Sequence, residues 1–312
     1  MRLTARLTPQ KAAKAVRLLR YASWGRCGPL RSYVSARRPT CQPSVLLVSL
    51  PRSGSTWVGD VLGSAPDALY LHEPLTQSLD LSGTEPILVE PDAPAPAAVY
   101  PAAAAAAFAG LPTFRSHVLR WPGQWALGRR AGRRVVVKEV NPLICPWIVR
   151  EHRPRVILLV RHPAAVSLSY RRLGWFDLPD FQMASGDGAA GDGPWRRSGR
   201  RQGYVLDRAL RALSGYPDHV VVRYEDLCRQ PVEGFRRLYA FAGLTWTPAV
   251  GRLIEAKAGG DRNDVYATSR ATRLMADSWR AQIGPQDLAD LMAGYGAFDL
   301  PWYGAAEPSA AA

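Results

Sequence analysis

The chain has 312 residues, 47 % of them apolar, with 40 Lys and Arg against 26 Asp and Glu for a net charge of +14. That length buries a sizeable core and favours one α/β domain over two. Cys27, Cys41, Cys145 and Cys228 form no close pairs and no metal spacing, which argues against a zinc site or a disulfide framework and for a reducing, cytoplasmic setting.

Charge is concentrated at one end. Residues 1–40 hold ten Lys or Arg and no acidic residue, so this arm supplies ten of the fourteen net charges. The remainder is only mildly basic, and no specific nucleic-acid partner is expected. Within the arm, Lys11, Lys14, Arg17 and Arg20 recur every three residues, with Val16, Leu18 and Leu19 on or near the other side. This spacing predicts a short basic amphipathic helix. A solvated or surface-docked arm is the favoured reading, with peripheral contact to anionic lipid as the other. The arm is Arg-rich and acid-free like a transit peptide. The chain-wide Ala, Arg, Gly and Pro bias, resembling a high-GC bacterial genome, speaks against that assignment. No apolar run is long enough for a membrane span.

Past the arm, Val45–Val48 is a continuous apolar run that reads as a strand buried on both faces. It breaks at Pro51 into Arg52-Ser-Gly-Ser-Thr56, and a helix is predicted over Trp57–Leu62. A strand feeding a small-residue turn and a helix N-terminus gathers backbone N–H groups around an anion, with Gly54 allowing close approach. The G-x-x-x-x-G-K-[S/T] spacing of ATPases is absent. Residues 84–113, rich in Pro and Ala, read as a short helix with loops. Val135–Val137 is the second predicted strand, ending beside Lys138. The third, Val156–Val160, leads into Arg161, with Pro163 in the first turn of a helix over Ala164–Leu173. Arg161 and Ser169 lie eight residues apart. Residues 184–200, with five glycines, read as a mobile loop. A helix over Tyr204–Leu213 and a fourth strand at Val220–Val222 follow. Next come Arg223-Tyr-Glu-Asp-Leu227, an amphipathic helix through Phe235, Leu238 and Phe241, and a last helix from near Pro285. Strands alternating with helices predict a P-loop-like three-layer α/β fold with a mostly parallel central sheet. Both anion motifs then sit at strand C-terminal ends, where open α/β sheets bind ligands.

Pro51-Arg-Ser-Gly-Ser-Thr56 resembles the 5′-phosphosulfate loop of sulfotransferases that use 3′-phosphoadenosine 5′-phosphosulfate (PAPS), in the bacterial and carbohydrate form. Val156–Tyr170 resembles that family's 3′-phosphate motif, and the likeness spans roughly residues 43–303. It implies that Arg52, Ser53, Gly54, Ser55, Thr56 and Trp57 hold the 5′ end of PAPS and that Arg161 and Ser169 hold its 3′-phosphate. Guanidinium suits that task because its planar fork matches phosphate oxygens. Ser269–Arg270, Arg273 and Ser278–Arg280 resemble the late loop that closes over the nucleotide. Arg270, Trp279 and Arg280 are its candidate contacts, with Trp279 as a core aromatic the competing reading. Glu73, in Tyr70-Leu-His-Glu-Pro74, matches the Glu-Pro position expected of a base, with His72 or His117 as substitutes. Lys138 is either a further catalytic contact or a solvated strand-end lysine. The Tyr-Glu-Asp-Leu string reads as structural, its carboxylates capping or bracing the entry of the helix that follows Pro231. The family uses no metal. Many members have lysine where this chain has Arg52, which cannot donate a proton at neutral pH, so its role is electrostatic.

The implied organisation is a basic arm over 1–40, a sulfotransferase domain over 41–304 and a disordered tail over 305–312. The implied activity is sulfuryl transfer from PAPS to an acceptor hydroxyl, foremost of a carbohydrate or glycolipid. The alternatives are a P-loop-type phosphotransferase (kinase) and a non-catalytic nucleotide or polyanion binder.

Overall fold

The computed structural model describes residues 9–77, 88, 99–112, 117–176, 192–258 and 276–303. Five strands form one parallel sheet: β1 (Cys41–Ser49), β2 (Ala68–His72), β3 (Arg134–Glu139), β4 (Arg155–Val160) and β5 (His219–Arg223), in the order β2-β3-β1-β4-β5. All four predicted strands are present. The fifth, β2, was not predicted: Ala-Leu-Tyr-Leu-His has no β-branched residue, so its four apolar residues do not tell a strand from a helix segment.

The helices in chain order are α1 (Pro9–Ala22), α2 (Gly28–Arg37), α3 (Ser55–Gly63), α4 (Val99–Phe108), α5 (Cys145–Glu151) and α6 (Pro163–Arg172). They continue with α7 (Pro194–Leu213), α8 (Tyr224–Arg229), α9 (Pro231–Ala242), α10 (Pro248–Ala258) and α11 (Pro285–Tyr295). The alternation of side chains along β1 divides the core in two. Val45 and Leu47 pack with Val58, Val61, Phe235 and Leu238 on one face. Leu46 and Val48 pack with Ile148, Val205 and Leu206 on the other. Every residue from Val45 to Val48 is wholly buried, as a central strand with helices on both faces requires.

One boundary differs from the sequence reading. Residues 194–200 are not loop; they are the first two turns of the 20-residue α7. Their glycine is a packing device. A Cβ on Gly199 would lie 1.9 Å from the Leu291 carbonyl oxygen of α11, and one on Gly294 would lie 2.1 Å from that of Arg196. The two backbones therefore touch, and composition alone mistakes a contact glycine for a flexible one. The arm is helical through α1 as its spacing predicts. Leu18 and Ala22 are buried in the same cluster as Leu46 and Val48.

Candidate active site

β1 ends at Ser49, and the chain turns through Leu50–Gly54 into α3. Two residues of that turn are left-handed, Arg52 at φ 67° and Gly54 at φ 88°. At Gly54 the requirement is steric as well: a Cβ there would meet the Tyr224 ring at 2.3 Å. The first-turn N–H groups of α3 have no carbonyl one turn back to receive them, so Ser55 and Thr56 carry the anion-facing donors of the helix N-terminus. Trp57 follows, turned into the fold. Its N–H donates to the Gly54 carbonyl at 3.1 Å. Its indole packs edge-on against Tyr224 and Phe235 in the core.

Strand order brings the second motif alongside the first. β4 pairs directly with β1, so Arg161 emerges next to the loop. Arg161 donates from Nη1 to the Arg52 carbonyl at 3.0 Å. Arg52 in turn donates from Nε to Ser169 Oγ at 2.9 Å, and the Tyr170 hydroxyl donates to the Pro51 carbonyl at 3.1 Å. Two segments more than a hundred residues apart thus form one cationic cradle around Arg52, Arg161 and Ser169.

Tyr224 completes the cradle, a role missed in the sequence. Its ring lies against Gly54, and the Arg161 guanidinium sits 4.5 Å above the ring centroid. The adjacent carboxylate is a brace, but not at the Pro231 helix entry where the sequence suggested it. Glu225 accepts from the His162 backbone N–H at 2.9 Å and from the Tyr303 hydroxyl at 2.5 Å, fixing the chain where it leaves β4.

A second cluster lies at the C-terminal ends of β2 and β3. Glu73 follows β2 at φ 52°, and its N–H donates to the Lys138 carbonyl at 2.7 Å. Lys138 is not the solvated strand-end lysine: its side chain is 1 % exposed, and its Nζ is ion-paired with Glu73 Oε1. Burial pushes the Glu73 carboxyl up, but the Lys138 charge, then His72, outweigh it and hold Glu73 below the usual carboxylate range. His72 is held near 3, by burial first and the Lys138 charge second, so it is neutral at working pH. Its Nδ1 lies 3.0 Å from the Tyr70 hydroxyl and its Nε2 3.5 Å from Glu73 Oε1. A hydroxyl donating to Nδ1 leaves the ring proton on Nε2, facing Glu73. His117 is exposed, and its neighbour Val118 accepts the His72 backbone N–H at 3.0 Å.

One residue behind Lys138, Glu139 is fully buried. It accepts from Leu75 N at 2.6 Å and from Thr76 Oγ1 at 2.7 Å, locking the segment after Glu73 to β3. Desolvation raises its pKa to about 7. No cluster of metal-ligating side chains occurs among the described residues.

Residues 152–248, which carry β4, Arg161, Ser169, Tyr224 and Glu225, match the model of the sulfotransferase family. By that segment the chain is similar to the sulfotransferase family. Curated relatives agree over short stretches. Carbohydrate sulfotransferase 3 of Mus musculus is 38 % identical over 64 residues, covering 20 % of this chain and 14 % of the relative. Carbohydrate sulfotransferase 6 of Homo sapiens is 35 % identical over 65 residues, 19 % of this chain and 16 % of the relative. The matches thus span only about a seventh of these relatives' length. Among solved structures, the sulfotransferase domain from the curacin biosynthetic pathway aligns over 83 % of this chain and 99 % of its own, at 18 % identity and a TM-score of 0.49. A sulfotransferase from Mycobacterium avium aligns over 96 % and 89 %, at 18 % identity and a TM-score of 0.44.

The late-loop candidates divide. Arg270 and Arg273 lie outside the described residues. Trp279 is 4 % exposed and stacks on His162 at 3.8 Å, packed with Ala164, Leu168 and Trp195, so it takes the core reading. Arg280 is exposed, 4.7 Å over that indole, and paired with Asp277 at 3.3 Å.

Proposed function

We propose that the chain catalyses sulfuryl transfer from PAPS to a hydroxyl acceptor, foremost of a carbohydrate or glycolipid. The observation that carries this reading is the cradle itself. Arg161 is hydrogen-bonded to the Arg52 carbonyl and Arg52 to Ser169, at the C-terminal end of the central strand. Two anion-binding elements set side by side suit a nucleotide with phosphates at both 5′ and 3′ positions. A phosphotransferase is less well served, since no acidic metal-ligand cluster appears among the described residues and no lysine follows the loop glycine.

Bound there, PAPS would supply the sulfuryl group, and the chain's work is placement and charge. The N–H groups of Ser55 and Thr56 and the Arg52 guanidinium stabilise negative charge growing on the 5′-phosphate side. Arg161 and Ser169 select the 3′-phosphate. Glu73 orients the acceptor hydroxyl and accepts its proton as attack proceeds. A depressed pKa makes it a weak base that is always ionised, so proton transfer belongs late in bond formation. Lys138 holds the carboxylate in place and offers a cation to the transferring oxygens. The relatives named carbohydrate sulfotransferases point to a sugar hydroxyl.

Calorimetric titration with adenosine 3′,5′-bisphosphate and with 5′-AMP, in the unaltered protein and in Arg161→Ala, tests the reading. A preference for the bisphosphate that the substitution removes supports it. Equal weak binding of both ligands, unchanged by the substitution, overturns it.

A further inference from the structure

The large apolar side chains most exposed among the described residues are Val16, at 63 %, Leu19, at 58 %, and Tyr33, at 62 %. All three fall on α1 and α2. Ala12, Ala15, Val16 and Leu19 follow the i, i+3, i+4, i+7 spacing of a helix's apolar stripe, and all four are exposed. The stripe is therefore turned outward. A different side of α1, through Leu18 and Ala22, docks it on the domain. A helix that packs by one side and shows a second apolar stripe to solvent has a face without a partner among the described residues.

The charges around that face have one sign. Arg20 is exposed beside the stripe, one turn from Val16, Arg17 is exposed further round the helix, and residues 1–40 contain no carboxylate to offset them. On α2, the Arg37 guanidinium lies 6.0 Å from the exposed Tyr33 ring, again a cation beside an amphipathic group. A cleft lined by Arg20, Tyr21, Trp24, Leu30 and Leu127 opens between the two helices. Basic residues alone would suit any polyanion. Aliphatic side chains held outward among them suit a partner with anionic groups over an apolar interior, which a polysaccharide lacks and a bilayer has.

We infer that α1 and α2 form a docking surface for an anionic lipid membrane, with Val16 and Leu19 entering the headgroup boundary and Arg17 and Arg20 meeting the phosphates. No described helix is long and apolar enough to cross a bilayer, so the contact is peripheral. The inference does not depend on the chemistry proposed for the cradle.

The test is sedimentation of the full chain with vesicles of phosphatidylcholine alone and of phosphatidylcholine mixed with phosphatidylserine, beside a heparin column. Binding to the mixed vesicles, weakened by salt, is expected. Arg17→Gln with Arg20→Gln should weaken it on the order of twentyfold. Val16→Ser with Leu19→Ser should weaken it about tenfold or more, with the melting temperature unchanged because both side chains are already in water. Retention on heparin with no vesicle binding overturns the proposal in favour of a soluble polyanion. Vesicle binding that ignores the Val16 and Leu19 substitutions also overturns it, since charge alone would then account for the contact.

Discussion

At the scale of single residues, the pair that organises the acceptor side is Glu73–Lys138. Each was visible in the sequence, Glu73 by resemblance and Lys138 by its place after a strand. Their contact was not, because it joins two strands 65 residues apart and no local spacing encodes it. With Lys138 wholly buried, removing either partner strands the other's charge. Glu73→Gln and Lys138→Met should each lower unfolding free energy by roughly 3–5 kcal/mol, and the double substitution by less than either, measured by urea denaturation. Glu73→Gln should also cut the turnover of an accepted hydroxyl by about 10²–10⁴ while leaving adenosine 3′,5′-bisphosphate affinity within about twofold. Equal losses in affinity and turnover would place Glu73 at the nucleotide instead.

At the scale of elements, the strongest sequence signals were the continuous apolar runs Val45–Val48 and Val156–Val160. They mark central strands because burial on both faces leaves no alternation to obscure them. Edge elements were harder to read. β2 carries its signal in only four buried residues, and the start of α7 was hidden by glycines. Those glycines predict a measurable effect. Gly199→Ala and Gly294→Ala each place a methyl against backbone of the facing helix, so α7 and α11 must move apart. Each should cost about 1–3 kcal/mol by urea denaturation. Gly128→Ala, where an added Cβ meets nothing within 4 Å, should stay within about 0.5 kcal/mol. The Tyr-Glu-Asp-Leu string belongs to this scale too. Its structural character was legible, but Glu225 braces the start of α6 instead of the helix entered at Pro231, and the packing of Tyr224 under Gly54 and Arg161 emerges only when β5 takes its place beside β4.

For the whole molecule, buried ionisable groups set how stability responds to pH. His72 and His162 are both held near 3, chiefly by burial, against an ordinary value of 6.5. Above pH 6.5 both are neutral whether the chain is folded or not. Below it the unfolded chain takes up protons that the folded one refuses, so stability drains away as pH falls from about 6.5 towards 3. Glu139 acts in the opposite sense. Its folded value near 7 exceeds the ordinary 4.5, so stability declines as pH rises between those values. Two groups outweigh one, and the urea midpoint should fall on acidification from pH 6.5 to 5. Glu139→Gln should steepen that fall by removing the opposing group; a slope that flattens would contradict the assignment.

The strand order has a consequence for how such a protein can be altered. β1 is the midline: the Arg161 and Tyr224 elements lie with β4 and β5 on one side, and the Glu73–Lys138 pair lies with β2 and β3 on the other. Under the proposed chemistry, donor recognition and acceptor recognition occupy separate halves of one sheet, sharing only the loop that leaves its central strand. Residues 64–151 are therefore a natural cassette. Exchanging that stretch between related chains should transplant the choice of hydroxyl while the nucleotide half stays in place.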